Sequence, residues 1–111
     1  MGNASADRRY KIFGPQAFNV ASVPSTGVTL VSNSNTRISI SLQNTSTVSC
    51  LVALSSITPT STAYHFILAK DNLALVGEGG FVTIDEYFGY ITATTTAGTG
   101  TIAVLEVVST S

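Results

Sequence analysis

The chain has very little charge. Five Lys or Arg and six Asp or Glu make up 10% of its 111 residues, whereas a typical soluble domain carries roughly 25%. Sparse charge gives little repulsion between copies, so a free monomer with such a surface tends to associate. The 30 Ser and Thr residues keep the surface wettable without charge, and Thr also suits β-strands. We therefore expect a β-rich component of a larger assembly.

Other scarce residue types exclude classes of site. The single cysteine, Cys50, excludes an intramolecular disulfide and a zinc site built from cysteines, and its apolar surroundings predict a small buried hydrophobe. The single histidine is His65, expected on an exposed face. Asp71 and Asp85 could complete a Ser-His-Asp site, but no Ser lies in a Gly-x-Ser-x-Gly turn. We predict that the protein is not an enzyme.

The acidic and glycine-rich stretches do not form a metal or cofactor motif. Asp85 and Glu86 are adjacent, so on a strand they point to opposite faces and are expected to mark a strand end. Asp71-Asn72 lacks the further acidic residues of a calcium loop. Residues 77–80 (Gly-Glu-Gly-Gly) precede a predicted strand instead of a helix, which favours a turn over a phosphate loop. The sequence predicts no catalytic residue, no metal site and no cofactor.

The N-terminal residues form a separate segment. No stretch approaches the ~18 apolar residues of a membrane span, and the N-terminus lacks the apolar core of a secretion signal, so we expect no membrane partner. Residues 1–37 carry a net charge of +3, and residues from 70 onward carry −4. We predict an extended basic arm over residues 1–15 and a β-sandwich domain over residues 16–111.

The arm is the predicted partner-binding element, through Arg8, Arg9, Tyr10 and Lys11. A basic arm on a mildly acidic body suits head-to-tail contact with a neighbour of opposite local charge. Three cations without a repeated pattern fall far short of a basic stripe, so nucleic acid is not an expected partner.

The remainder of the chain alternates between strand patterns and turn signals every 8 to 12 residues, which is typical of a sandwich or barrel. The clearest strand is 37–43, where Ile38, Ile40 and Leu42 share one face and Arg37, Ser39, Ser41 and Gln43 share the other. The other predicted strands are 17–23, 28–31, 48–54, 64–68, 73–76, 81–85, 87–96 and 101–108. We predict an all-β, single-domain antiparallel β-sandwich of eight or nine strands, jelly-roll-like, and no helix. Strand order is not readable from the pattern.

Two stretches carry a resemblance to a known family. One is Arg37-Ile38-Ser39-Ile40-Ser41-Leu42-Gln43-Asn44. The other runs from Gly89-Tyr90-Ile91-Thr92-Ala93 through Gly98-Thr99-Gly100 into residues 101–107. With residues 81–85 they span roughly residues 36–108, and in pattern and composition the chain resembles the small virion proteins of tailed bacteriophages, above all the head decoration (cement) proteins.

The resemblance implies a structural protein that stabilises the phage head. Such a protein would lie on the outer capsid surface of the virion, after synthesis in the host bacterial cytoplasm. Its partners would be the major capsid protein and further copies of itself, as dimers or trimers. Two alternatives stay open: a tail, neck or fibre component of the virion, and a carbohydrate-binding module that stacks glycans on Tyr64, Tyr87 or Tyr90.

Overall fold

The computed structural model describes residues 16–73 and 75–109, and the predicted arm over 1–15 lies outside them. The regular structure of the described residues is entirely β-strand, and there is no helix there that is long and apolar enough to cross a membrane. The strands are β1 (Gln16–Val23), β2 (Val28–Val31), β3 (Arg37–Asn44), β4 (Cys50–Ala53), β5 (Phe66–Leu68), β6 (Phe81–Asp85), β7 (Ile91–Thr95) and β8 (Gly100–Val108).

The strands form two antiparallel sheets of four. The first sheet has the order β1-β8-β3-β6 and the second has the order β2-β7-β4-β5. The first strand thus pairs with the last, the second with the seventh, the third with the sixth, and the fourth with the fifth. This is one long hairpin folded over on itself, which is the jelly-roll arrangement. The predicted all-β, jelly-roll-like sandwich is confirmed, with eight strands.

The core lies between the inner faces of the two sheets. In β3 the side chains of Ile40 and Leu42 are fully buried while Ser41 between them is not, as the alternation predicts. Fully burying one such side chain contributes roughly 1.5–3 kcal/mol. The buried cluster consists of Val23, Ile40, Leu42, Cys50, Val52, Leu68, Ile84, Ile91, Ala93, Ile102 and Val104.

The strand predicted over residues 73–76 is wrong. These residues belong to the connection between β5 and β6, where the side chain of Asp71, and not a neighbouring strand, binds backbone N–H groups. Its Oδ2 atom accepts hydrogen bonds from the backbone N–H groups of Val76 and Gly77, both at 3.1 Å. Leu75 has a left-handed φ of 66°. Amides that bind a side chain in this way are not available to a strand ladder.

Three further predicted strands are shorter than expected, and the one over 64–68 begins only at Phe66. The strand over 87–96 begins only at Ile91, because the carbonyl oxygens of Tyr87 and Gly89 accept hydrogen bonds from a buried guanidinium. The preceding residue, Glu86, has a φ of 59°, which turns the chain out of β6. The strand over 48–54 is reduced to Cys50–Ala53.

Candidate assembly surface

The outer face of the second sheet is covered by the chain's own connection between β4 and β5, residues 54–65. The hydroxyl of Thr92 donates to the carbonyl oxygen of Ile57 at 2.9 Å, and that of Thr94 donates to the carbonyl oxygen of Pro59 at 3.3 Å. Both threonines are buried although they point away from the core. This face is therefore closed to partners over β7.

The outer face of the first sheet is open and largely apolar. Phe18, Val20 and Phe81 point away from the core on β1 and β6 and are 79%, 64% and 62% exposed. Together with Ala103 and Leu105 of β8 they line a shallow groove of about 430 Å³. Side chains of this size gain most from leaving water, so the groove is a surface on which an apolar partner can bind.

The strand register fixes how these residues are arranged. Phe18 lies opposite Leu105, which lies opposite Ser41, and Val20 lies opposite Ala103. The outward residues of β1 and β8 are therefore apolar over the middle of the face and polar at one end, where Ser22 pairs with Thr101, and those of β3 and β6 are mainly polar. We call this surface the first-sheet face and define it as Phe18, Val20, Ser41, Gln43, Phe81, Thr83, Ala103 and Leu105.

Negative charge lies at one end of the first-sheet face. Asp85 is the last residue of β6 and is paired with Ser39, which in turn lies opposite Val107. Asp85 and the neighbouring Glu86 are both exposed, and they mark a strand end as predicted. A positively charged segment that lies on the face can approach these carboxylates.

Arg37 is not on the polar face of β3, where the alternation puts it. The pairing of β3 with β8 shifts register between Arg37 and Ser39, so one extra residue, Ile38, is inserted as a bulge. A bulge reverses the facing of the residues beyond it. Arg37 consequently points inward and is only 2% exposed.

The buried guanidinium of Arg37 is fully engaged by its surroundings. Its Nε donates to Glu106 Oε2 at 2.8 Å, and its Nη1 donates to the carbonyl oxygens of Tyr87 and Gly89 at 3.0 and 2.9 Å. Its Nη2 donates to the carbonyl oxygen of Ser32. These bonds tie two loops to the end of β3. The charge of Arg37 is therefore compensated inside the domain and is not available to a partner.

The candidate residues for chemistry are dispersed. Cys50 is buried as predicted, and its burial raises the pKa of the thiol to about 11, with a smaller lowering from Ser46. His65 is exposed, also as predicted, and its Nδ1 accepts a hydrogen bond from the backbone N–H of Leu54 at 3.0 Å. Within residues 16–73 and 75–109, no three His, Cys, Asp or Glu side chains gather as metal ligands.

The three tyrosines of the glycan alternative are not equivalent. Tyr87 packs against the core and donates its hydroxyl to the carbonyl oxygen of Tyr90 at 2.7 Å. Tyr64 and Tyr90 are exposed and flank the same end of the second sheet, next to β5 and β7. Glycan binding stays a prediction. The predicted partner residues Arg8, Arg9, Tyr10 and Lys11 lie outside the described residues.

Comparison with known proteins adds little. No family model matches the chain, and no curated protein matches it. Among solved structures, a chain of the Bacillus endospore appendages, described as a novel family of disulfide-linked pili, has 14% sequence identity, with 87% of each chain covered and a TM-score of 0.49. A likeness at this level carries no argument about function.

Proposed function

We propose that the protein is a structural subunit that works by assembly with copies of itself and with other subunits. The first-sheet face is the observation that carries this proposal. The face presents Phe18, Val20 and Phe81 to solvent on the outer side of a four-stranded sheet. Contiguous exposed apolar side chains are a mark of interaction sites, and the scarcity of charge over the chain favours association.

The particular assembly we propose is a phage head, with the protein as a cement subunit on the outer capsid surface. The jelly roll and the low charge support this proposal together with the sequence resemblance to decoration proteins. In this role the protein bridges major capsid subunits as a dimer or trimer. Many copies of an interface of ordinary size, near ~1,600 Å², would together stabilise the shell.

The assembly proposal is tested by the mass of the purified full-length chain in solution. Light scattering coupled to size exclusion, from 1 to 100 µM, should give a discrete oligomer that is a multiple of the 11.5 kDa chain. A chain that stays at 11.5 kDa over this range would contradict self-assembly.

The location on a phage head needs a separate test. Gold-labelled antibodies against the chain, applied to intact particles released by cells that produce it, should decorate the outer surface of the head. Labelling confined to tails or fibres would replace the cement role by that of a tail, neck or fibre component. Deletion of residues 1–13 should then abolish attachment to the shell, because the basic arm is the predicted clamp.

A further inference from the structure

We infer that the first-sheet face is the binding site for arm residues 8–13 of a second copy of this chain. The inference rests on the proposed function, because it specifies which surfaces of the subunit meet. It brings together the open apolar groove of the first sheet and the segment that the sequence marks as partner-binding.

The face has the shape and chemistry for one extended segment. Four strands at a spacing of about 4.8 Å give about 14 Å between the outer strands, and six extended residues span about 20 Å. Residues 8–13 are therefore long enough to cross the sheet from β1 to β6. The groove is lined by Phe18, Val20 and Phe81, so its occupant must offer apolar side chains.

The arm sequence offers those side chains with the right period. In an extended segment alternate residues share a side, so Tyr10 and Ile12 would lie on one side together with Arg8, and Arg9 and Lys11 would lie on the other together with Phe13. Among residues 1–15 the only other large apolar side chains are Met1 and Phe13. Tyr10 and Ile12 can thus enter the groove while Arg9 and Lys11 stay in water, and the long side chain of Arg8, at the start of the segment, can extend its guanidinium past the rim.

Charge favours a second copy as the donor of the segment. Residues 1–15 hold Arg8, Arg9 and Lys11 against Asp7, a net charge of +2, and the remainder of the chain has a net charge of −3. The exposed carboxylates of Asp85 and Glu86 lie at one end of the face, next to the site of such a segment. Each copy therefore has one surface of each sign, the condition for head-to-tail association.

A head-to-tail contact is tested with two full-length variants. One lacks the apolar side chains of the arm, and the other lacks those of the first-sheet face. Tyr10→Ser with Ile12→Ser removes the apolar side of the arm, and Phe18→Ser with Phe81→Ser removes that of the face. Because Phe18 and Phe81 are exposed, their replacement should leave the fold intact, which circular dichroism checks. The matched control is Ile57→Ser with Ile67→Ser, two residues that are 75% and 54% exposed on the other sheet and its covering loop.

The expected result is complementation. Each variant alone should run as a monomer of 11.5 kDa at 100 µM, and their equimolar mixture should form a heterodimer of twice that mass, since one arm and one face remain intact. The control should assemble like the unmodified chain.

Three other results would overturn the inference. Mixing without any gain in mass shows that an arm binds the face of its own chain or does not bind it at all. Retention of oligomers by the arm variant alone shows that two faces meet directly. If the unmodified chain assembles and the face variant assembles equally well, the proposed function stands and this inference is wrong.

Discussion

Replacement of Arg37 by Met should destabilise the domain by about 3–5 kcal/mol, the usual consequence of removing one partner of a buried ion pair. Methionine keeps the apolar stem but leaves the carbonyl oxygens of Ser32, Tyr87 and Gly89 without their donor, and Glu106 without its cation. Such a loss is a large part of the ~5–15 kcal/mol that holds a domain together.

Urea unfolding followed by circular dichroism measures this effect. At a slope near 2 kcal/mol per molar urea, a loss of about 4 kcal/mol moves the midpoint by about 2 M. Lys70→Met is the matched control: it makes a comparable replacement of a cation that is exposed, so a change below about 0.5 kcal/mol is expected. Hydrogen exchange adds a local readout, because the Ser34 amide bonds to the carbonyl oxygen of Phe88 at 2.8 Å. An Arg37→Met variant within 1 kcal/mol of the unmodified chain would refute the reasoning.

Three further predictions concern the core and its connections. Cys50 should resist thiol reagents at pH 8 until the domain is unfolded. Because burial raises the pKa of its thiol from 9.0 to about 11, its contribution to the free energy of unfolding should be complete below pH 9 and should fall above pH 9. The Cys50→Ala variant should not show this fall in urea unfolding. Asn44→Asp should lower the free energy of unfolding in urea by about 3 kcal/mol or more, because a carboxylate cannot donate to the carbonyl oxygens of Val48 and Leu68, which lie 2.8 and 2.9 Å from Nδ2. The exposed control Asn35→Asp should change it by less than about 0.5 kcal/mol. Gly80→Ala should lower the melting temperature more than Gly98→Ala does. A Cβ at residue 80 would lie 2.5 Å from the backbone N of Ala69, whereas a Cβ at residue 98 meets no atom and adds only the strain of a φ of 71°. A larger loss for Gly98→Ala would contradict the close packing at Gly80.

The sequence pattern predicted the strands where alternation is strict. Residues 37–43 and 81–85 alternate cleanly and are found as strands within a residue of their predicted ends. The segment over 73–76 is apolar enough for a strand, but the carboxylate of Asp71 accepts hydrogen bonds from the backbone N–H groups at its end, those of Val76 and Gly77. Periodicity gives no information about such a side chain–backbone bond, because it depends on a buried residue outside the segment.

The candidate surface was harder to predict for a related reason. Strand β4 has apolar side chains on both faces, and β1 has the apolar Phe18 and Val20 on its outward face; an apolar outward face indicates a covering segment or a contact between subunits. In β4 the chain's own 54–65 connection covers the outer side, whereas in β1 Phe18 and Val20 remain exposed. Only the path of a distant loop distinguishes the two strands. The bulge at Ile38, which buries Arg37, could not be predicted from the sequence pattern either, because the inserted residue is apolar and leaves the alternation unbroken.

The pairing of the first strand with the last has a consequence for synthesis. Gln16 lies opposite Val107, and β8 lies between β1 and β3, so the first sheet lacks an inner strand until β8 has left the ribosome. At ~5–20 residues per second, the nascent chain carries β1 for roughly 4 to 17 s before β8 is made. During that interval Phe18 and Val20 sit on an unpaired strand with the composition of an aggregation site. The many Ser and Thr residues thus act before folding is complete, because their hydroxyl groups keep the nascent chain soluble.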